Sequence, residues 1–224
     1  MTETIINDIK DYAKKQLNQV EASHSWNHTL RVFNNARKIQ ENEGGDKFLI
    51  FAGALLHDVT DEKLFEPVSA KANLIVFLQK ILMTSAHIDS IIKLIESVSF
   101  GNEFNEKNVL TIEQKIVRDA DRLDAIGAIG VARAFHYGGT KHREMFNEDY
   151  APQNYKSKDH YRNSDSPTVN HFYEKLLLLK DRMETVTGSK IAHQRHLFMV
   201  QYLKQLYNDM NFEFKSTPFD LTKL

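Results

Sequence analysis

A histidine and an aspartate stand side by side where an apolar helix pattern ends. The stretch FLIFAGALLHDVTDE, residues 48–62, opens with nine uncharged residues and then presents His57 and Asp58. A helix over residues 46–60 would carry both side chains inward, because each continues a stripe of apolar or small residues. Burying an unpaired ion costs several kcal/mol, and a whole domain is stable by only about 5–15 kcal/mol. The pair therefore needs a partner, which is a hydrogen-bond network, an ion pair or a metal.

Two further helices send polar groups inward. In SHSWNHTLRVFNNARKI, His28 shares a helical stripe with Val32 and Ile39. In VRDADRLDAIGAIGVARAF, Asp121 shares a stripe with alanines at positions 125, 128 and 132, whose small size lets a neighbouring helix approach. Two imidazoles and two carboxylates suit a divalent ion such as Mn²⁺, and less specifically Mg²⁺, Fe²⁺, Co²⁺ or Ni²⁺. The sequence therefore predicts one divalent metal held by His28, His57, Asp58 and Asp121, with open positions for water and substrate oxygens.

The elements that must position these groups are helices. Apolar patterns with a period of 3.6 predict helices over residues 3–19, 24–43, 46–60, 67–83, 85–99, 111–137, 168–187 and 189–214. Alternation with a period of two is never sustained. Thr111 and Gln114 have the spacing of a capping box at the start of the long central helix. We therefore predict an all-α fold.

Composition limits the class of protein. The chain has 224 residues, and we predict a single domain over residues 1–224. The formal net charge of -1 provides no global field to attract a nucleic-acid polymer. The absence of cysteine excludes disulfides, zinc–thiolate sites and thiol nucleophiles. No signal-peptide core or bilayer-spanning run occurs in the sequence, so we expect a cytoplasmic protein that does not act on membranes.

The order H…HD…D, together with four longer motifs, resembles the HD-domain superfamily of metal-dependent phosphohydrolases. The motifs are SHSWNHTLRV, AGALLHDVTDEK, DADRLDAIGAIGVARAF and VNHFYEKLLLLK, and they are most similar to the bacterial branch that includes YpgQ and YedJ. The resemblance implies a helical bundle with the metal at its centre. It implies a core motif region over about residues 24–137 and C-terminal helices over residues 168–214. It also implies the same four metal ligands and a nucleotide pyrophosphohydrolase activity.

Acidic residues directly follow the histidine–aspartate pair. On a continuing helix, Asp61 would lie over both His57 and Asp58, with Cβ atoms about 5–6 Å apart. A carboxylate in that place can deprotonate a water molecule at the metal. The resemblance likewise implies a functional acid at Asp61, and the adjacent Glu62 is the second choice. The alternative is that both acids belong to a solvated helix end.

Basic and amide side chains are candidates for binding phosphate. They are Arg31, Lys63, Arg118, Arg122, Arg133, Asn170, His171 and Lys175. The three arginines of the predicted central helix share one arc beside Asp121, and guanidinium groups bind phosphate oxygens bidentately. The candidates at positions 170, 171 and 175 come from the resemblance. The arginines of the central helix could instead form a solvated or salt-bridged face, and positions 170, 171 and 175 taken alone would be ordinary helix surface.

The leading prediction is hydrolysis of a (d)NTP to (d)NMP and pyrophosphate, so that the partner is a phosphorylated small molecule. The alternatives are a phosphomonoesterase, a dNTP triphosphohydrolase and a non-catalytic metal- or nucleotide-sensing module. A di-iron oxygenase would need more histidines between Asp58 and Asp121, where only His87 occurs. The polar residues 147–168 predict either a surface linker or a lid over the nucleoside. The run LLLLK, residues 176–180, predicts core or the face of a homodimer.

Overall fold

All the regular secondary structure in the part of the chain that the structure describes is helical. A computed structural model describes residues 2–18, 25–62, 64–81, 83–98, 109–153 and 165–211. The α-helices are α1 (Thr2–Leu17), α2 (Trp26–Glu43), α3 (Lys47–Leu56), α4 (Pro67–Lys80), α5 (Ser85–Val98), α6 (Ile112–Asp124), α7 (Gly127–Thr140), α8 (Asn170–Glu174) and α9 (Val186–Asp209), with a 3₁₀ helix over Leu176–Arg182. No strand occurs in these ranges, which confirms the all-α prediction. None of the helices described is long and apolar enough to cross a membrane.

The first of two compact units is Met1–Asp124 together with Glu184–Gly188. Helix α3 is its central element, since α3 contacts α1, α2, α5 and α6. Every residue of α3 from position 50 to position 56 is buried, which accounts for the uninterrupted apolar run in the sequence. Asp46 starts this helix by accepting a hydrogen bond from the backbone N–H of Leu49 at 3.0 Å. The predicted capping box of Thr111 and Gln114 is confirmed, because each side chain accepts from the other's backbone N–H.

The second unit is Ala125–Met183 together with Ser189–Leu224. Helix α8 packs on the 3₁₀ helix. Aromatic contacts join Phe135, Phe172 and Tyr202, whose ring centroids lie 5.9–6.2 Å apart. The phenol groups of Tyr173 and Tyr207 form a buried hydrogen bond of 3.1 Å. These contacts build an aromatic core for this unit.

Several predicted helix boundaries were wrong. Helix α3 ends at Leu56 and not at residue 60, and residues 57–60 form turns. The hydrophobic pattern could not mark this end, because Val59 beyond it is also buried. The predicted helix over residues 168–187 is divided into α8 and the 3₁₀ helix, and the last helix begins at Val186 and ends at Asp209.

The predicted central helix over residues 111–137 is broken between α6 and α7. Gly127 adopts φ +76°, a left-handed conformation that an α-helix does not contain and that favours glycine. The missing side chain of Gly130 leaves room for the carbonyl of Ala125, which would lie 2.2 Å from a Cβ atom there. The two glycines therefore permit the chain to turn where helical periodicity alone predicts continuity. As a result, the alanines at positions 128 and 132 do not continue the stripe of Asp121.

A buried carboxylate on α6 anchors the short segment Glu184–Gly188. Asp119 is fully buried and accepts hydrogen bonds from the backbone N–H groups of Glu184 (3.0 Å) and Thr185 (2.8 Å). The Thr185 hydroxyl donates to Asp119 at 2.8 Å and accepts from the N–H of Gly188 at 2.9 Å. A Cβ atom on Gly188 would lie 2.4 Å from the Asp119 carboxylate, so only glycine permits this approach. Asp119 thus serves as the acceptor for the start of α9.

We expect Asp119→Ala to lower the free energy of unfolding by about 2–4 kcal/mol, because it leaves buried backbone donors without their acceptor. Urea denaturation monitored by circular dichroism measures the change. The exposed Asp89 on α5 gives a matched control, and Asp89→Ala should change stability by less than about 0.5 kcal/mol. Equal stability of the two variants would contradict the anchoring role.

Candidate metal centre

Four predicted ligands converge in the first unit. The Nε2 atom of His28 lies 3.3 Å from Nε2 of His57, 3.4 Å from a carboxylate oxygen of Asp58 and 3.3 Å from one of Asp121. The Nε2 atom of His57 lies 3.4 Å from Asp58 and 3.9 Å from Asp121. His28 belongs to α2, Asp121 belongs to α6, and the other two residues follow the last residue of α3. Three elements distant in sequence therefore bring two imidazoles and two carboxylates together.

The separations fit a common cation. Ligand atoms about 2.1 Å from a metal lie about 3.0 Å apart at right angles and about 3.4 Å apart at the tetrahedral angle. The separations of 3.3–3.4 Å lie within this range, and the 3.9 Å between His57 and Asp121 lies above it. Each of His28, His57 and Asp58 offers a ligand atom, and the three atoms lie within 4.8 Å of one another. The residues present therefore suit a divalent ion.

Burial differs across the four residues. His28 is 2% exposed, His57 8% and Asp58 5%, whereas the side chain of Asp121 is 37% exposed. Buried polar groups of this kind are retained in proteins when they are paired or bind a metal. The exposure of Asp121 leaves this member of the cluster accessible to solvent.

Hydrogen bonds at the opposite ring nitrogens orient both imidazoles. The Nδ1 atom of His57 lies 2.9 Å from the carbonyl oxygen of Ala54, which can only accept, so Nδ1 carries the hydrogen. The Nδ1 atom of His28 lies 2.6 Å from a carboxylate oxygen of Asp124 and donates in the same way. Both rings therefore present the Nε2 lone pair to the cluster, which is how metal-binding histidines are commonly arranged.

Asp124 is a member of the site that the sequence analysis missed. It is 1% exposed, and its two oxygens accept from Nε and Nη2 of Arg31 at 2.6 and 3.0 Å. The signal was its spacing of three residues after Asp121, which places both carboxylates on neighbouring turns of α6. Arg31, predicted as a phosphate ligand, is therefore engaged with Asp124, and its side chain is 34% exposed.

The carboxylates of the cluster favour a positive charge at His28. Burial disfavours the charged form of His28 and lowers its pKa, but hydrogen bonds to Asp121 and Asp124 and the charge of Asp58 raise the pKa to about 9. Three carboxylates around one imidazole thus favour a cation at this point. A proton on His28 can provide that charge, and so can a divalent ion that receives the Nε2 lone pair.

The acidic residues after the histidine–aspartate pair lie in turns and not on a helix, contrary to the prediction. The backbone N–H of Asp61 donates to the carbonyl of Asp58 at 3.2 Å, and the Asp61 carbonyl accepts from the N–H groups of Leu64 and Phe65. Asp61 is therefore held one turn beyond Asp58 and is half-buried, while Glu62 is exposed. Their catalytic roles stay predictions, and Lys63 lies outside the described residues.

Two of the predicted phosphate-binding arginines contact Glu184. Arg118 is buried and donates to the Ser97 carbonyl at 2.6 Å and to Glu184 at 3.3 Å. Arg122 donates to the same Glu184 oxygen at 3.0 Å. The contacts of Arg118 favour a structural role over the predicted phosphate contact. Because Arg133 lies on α7, the predicted arc of three arginines on a single helix was wrong.

The remaining candidates lie in the second unit. Asn170 is buried, and its side-chain amide donates to the Tyr150 carbonyl at 2.8 Å. Burial, followed by the charges of Lys175 and Arg143, lowers the pKa of His171 to about 3, so this imidazole is neutral at physiological pH. The substrate contacts assigned to positions 170, 171 and 175 stay predictions. Half of the predicted lid, residues 154–164, lies outside the described residues.

Comparisons with known proteins agree with this geometry. A family model for the HD domain matches residues 25–126, which contain the whole cluster. YpgQ of Bacillus subtilis (strain 168) is 35% identical over 205 residues, which are 90% of this chain and 92% of YpgQ. A protein of the mimivirus of Acanthamoeba polyphaga, L803, is 30% identical over 70% of this chain and 75% of its own length.

Solved structures share the fold over nearly the whole chain. A Lactobacillus plantarum protein matches with a TM-score of 0.80 at 35% identity, covering 93% of this chain and 98% of its own. An HD-superfamily hydrolase of Bacillus thuringiensis matches with a TM-score of 0.77 at 34% identity, covering 95% and 100%. YpgQ, solved in complex with ADP, matches with a TM-score of 0.73 at 33% identity, covering 93% and 97%.

Proposed function

This chain belongs to the HD-domain superfamily of metal-dependent phosphohydrolases, and on that basis we propose that it is a nucleotide pyrophosphohydrolase. The proposed reaction converts a (d)NTP to (d)NMP and pyrophosphate. The observation that carries the proposal is the cluster of His28, His57, Asp58 and Asp121, in which both Nε2 atoms face two carboxylates. The complex of the relative YpgQ with ADP supports a nucleotide as the substrate class.

The four clustered residues would hold the cation, for which Mn²⁺ is our first choice. A bound divalent ion supplies Lewis-acid polarisation of a phosphoryl oxygen and lowers the pKa of a water molecule. The buried His28, His57 and Asp58 exclude bulk solvent from one side of the cluster. The partly exposed Asp121 leaves a side from which a phosphate group can approach.

Asp61 is the proposed acceptor of the proton from the attacking water. The hydrogen bond from its backbone N–H to the Asp58 carbonyl keeps it one turn from a proposed ligand. As the water oxygen bonds to the α-phosphorus, the bond from that phosphorus to the α–β bridging oxygen breaks. Pyrophosphate leaves with the bond's electron pair, and the carboxylate of Asp61 takes the proton.

Affinity for the polyphosphate has to come from local cations, since the whole chain carries a formal net charge of -1. Arg122 is adjacent in sequence to the proposed ligand Asp121 and is the preferred phosphate contact. It now donates to Glu184 at 3.0 Å, so phosphate binding would share or replace that ion pair. Arg133, His171 and Lys175 are further proposed contacts.

Product analysis with a panel of nucleotides tests the proposal. With Mn²⁺, we expect nucleoside triphosphates to yield monophosphate and pyrophosphate in equal amounts, resolved by anion-exchange chromatography. Protein treated with a chelator is the control and should release neither product. Nucleoside with tripolyphosphate would indicate a triphosphohydrolase, and orthophosphate from monophosphates would indicate a phosphomonoesterase. Tight binding of metal and nucleotide without any hydrolysis would indicate a sensing module.

A further inference from the structure

We infer that Asp124 and Arg31 are positioning residues that orient His28 for the metal and thereby set the metal affinity of the site. The inference rests on the metal site of the proposed function but not on the identity of the substrate. Neither residue lies among the four ligands. Their contacts with each other and with His28 link helix α2 to helix α6 at the cluster.

The contacts and burial of His28 restrict the orientation of its imidazole ring. Its Nδ1 atom lies 2.6 Å from Asp124, a length typical of a hydrogen bond to a charged acceptor. Rotating the ring would break this bond in a site where His28 is 2% exposed and Asp124 1% exposed, so water could not replace it. Placing the hydrogen on Nε2 would point a donor at the cluster and remove the lone pair that a metal needs.

Arg31 orients the Asp124 carboxylate, which in turn orients the His28 imidazole. It follows His28 by three residues on α2, so the two side chains lie on one face of the helix. Its Nε and Nη2 atoms reach different oxygens of Asp124, at 2.6 and 3.0 Å, in the two-point arrangement that a guanidinium allows and an ammonium does not. This contact fixes the carboxylate plane and compensates its buried charge. Arg31 therefore acts on His28 through Asp124.

The second histidine provides a natural comparison. His57 is oriented by the backbone carbonyl of Ala54, which no side-chain substitution can remove. His28 is oriented by a side chain on another helix, 96 residues away in sequence. The orientation of His28 consequently depends on residue identity at positions 124 and 31, and the affinity of the site can be changed there without altering a ligand.

Mn²⁺ titration without nucleotide, followed by electron paramagnetic resonance, tests the inference directly. Loss of a partner that orients a metal ligand typically costs about 10–100-fold in affinity, and we expect this rise in Kd for Asp124→Ala. Arg31→Ala should raise Kd by about tenfold, at the low end of that range, and Arg31→Lys should restore part of the loss. Arg37 on the same helix is exposed, so Arg37→Ala is the matched control and should leave Kd unchanged.

A double variant tests whether Arg31 acts through Asp124. If it does, Arg31→Ala combined with Asp124→Ala should bind Mn²⁺ no more weakly than Asp124→Ala alone. Additive losses would overturn the coupling and give Arg31 an independent role. Thermal unfolding of the metal-free variants separates positioning from stability, because a purely structural role would lower Tm without changing Kd.

If Asp124→Ala does not fold, the variants Asp124→Asn and Arg31→Ala still test whether these two residues orient His28. Arg31 is one-third exposed and the asparagine has the same shape as the aspartate, so both variants should fold. A Kd within about twofold of wild type in both would overturn the inference, being below the roughly tenfold minimum for lost ligand orientation. Failure of the wild-type chain to bind Mn²⁺ would instead refute the metal site itself. A product other than pyrophosphate would refute the proposed reaction and leave the inference intact.

Discussion

Asp58→Ala is expected to abolish phosphohydrolysis and to remove the metal while the chain remains folded. The Asp58 carboxylate lies 3.4 Å from the Nε2 atoms of both His28 and His57, so it is central to the proposed ligand set. Losing Lewis-acid stabilisation of roughly 4 kcal/mol or more corresponds to a loss of about 10³-fold or more in rate. The fold should survive, because the apolar residues of α3 stay buried and removing one of three clustered carboxylates reduces their mutual repulsion.

Elemental analysis after dialysis against Mn²⁺, together with circular dichroism and steady-state rates, measures these effects. Asp89→Ala, an exposed substitution of the same kind, should retain metal and activity. Unchanged metal stoichiometry in Asp58→Ala would refute its assignment as a ligand. A melted helical signal would show that Asp58 is needed for folding rather than for metal binding.

Asp61→Asn is expected to retain the metal and to lose about 10²–10⁴-fold in kcat, the usual contribution of a general base. The amide has the shape of the carboxylate but cannot accept the proton of the attacking water. The backbone bond from Asp61 to the Asp58 carbonyl does not depend on the side chain, so the turn should persist. The substitution thus separates turnover from metal binding.

Asp89→Asn is the matched control, because it makes the same substitution at an exposed aspartate on α5. It should keep kcat within about twofold of wild type, as expected for a surface change without a role in proton transfer. Near-normal kcat in Asp61→Asn would indicate that Glu62 or solvent, and not Asp61, accepts the proton of the attacking water. Loss of metal from Asp61→Asn would identify Asp61 as a ligand instead of a base.

The sequence by itself determined the fold class and four polar residues that lie together in the first unit. Long apolar periodicities with little glycine or proline predict helices, and all the regular secondary structure of the described residues is helical. The inward positions of His28, His57 and Asp58 could be derived because each polar side chain continues an apolar stripe, and stripes of neighbouring helices face one core. The stripe predicted for Asp121 does not exist, because α6 ends at Asp124. The structure brings these four side chains together as predicted.

The helix ends were not determined in this way. Val59 is as apolar and buried as the helix before it, so no change of pattern marks the end at Leu56. The break after Asp124 depends on the φ of Gly127 and on the close approach of the Ala125 carbonyl to Gly130. Tertiary packing sets the backbone conformation of such single residues. The hydrophobic pattern extends over many residues, so it does not locate the exact end of a helix.

Only the tertiary structure decided which polar residues form hydrogen bonds and ion pairs with one another. Arg31 meets Asp124 across 93 residues, Arg122 meets Glu184 across 62, and Asp119 meets Thr185 across 66. The sequence around a charged residue indicates on which face of its helix the residue lies. It does not indicate which partner compensates the charge. The partner depends on which helices pack against each other, and that arrangement is determined by burial of the whole core.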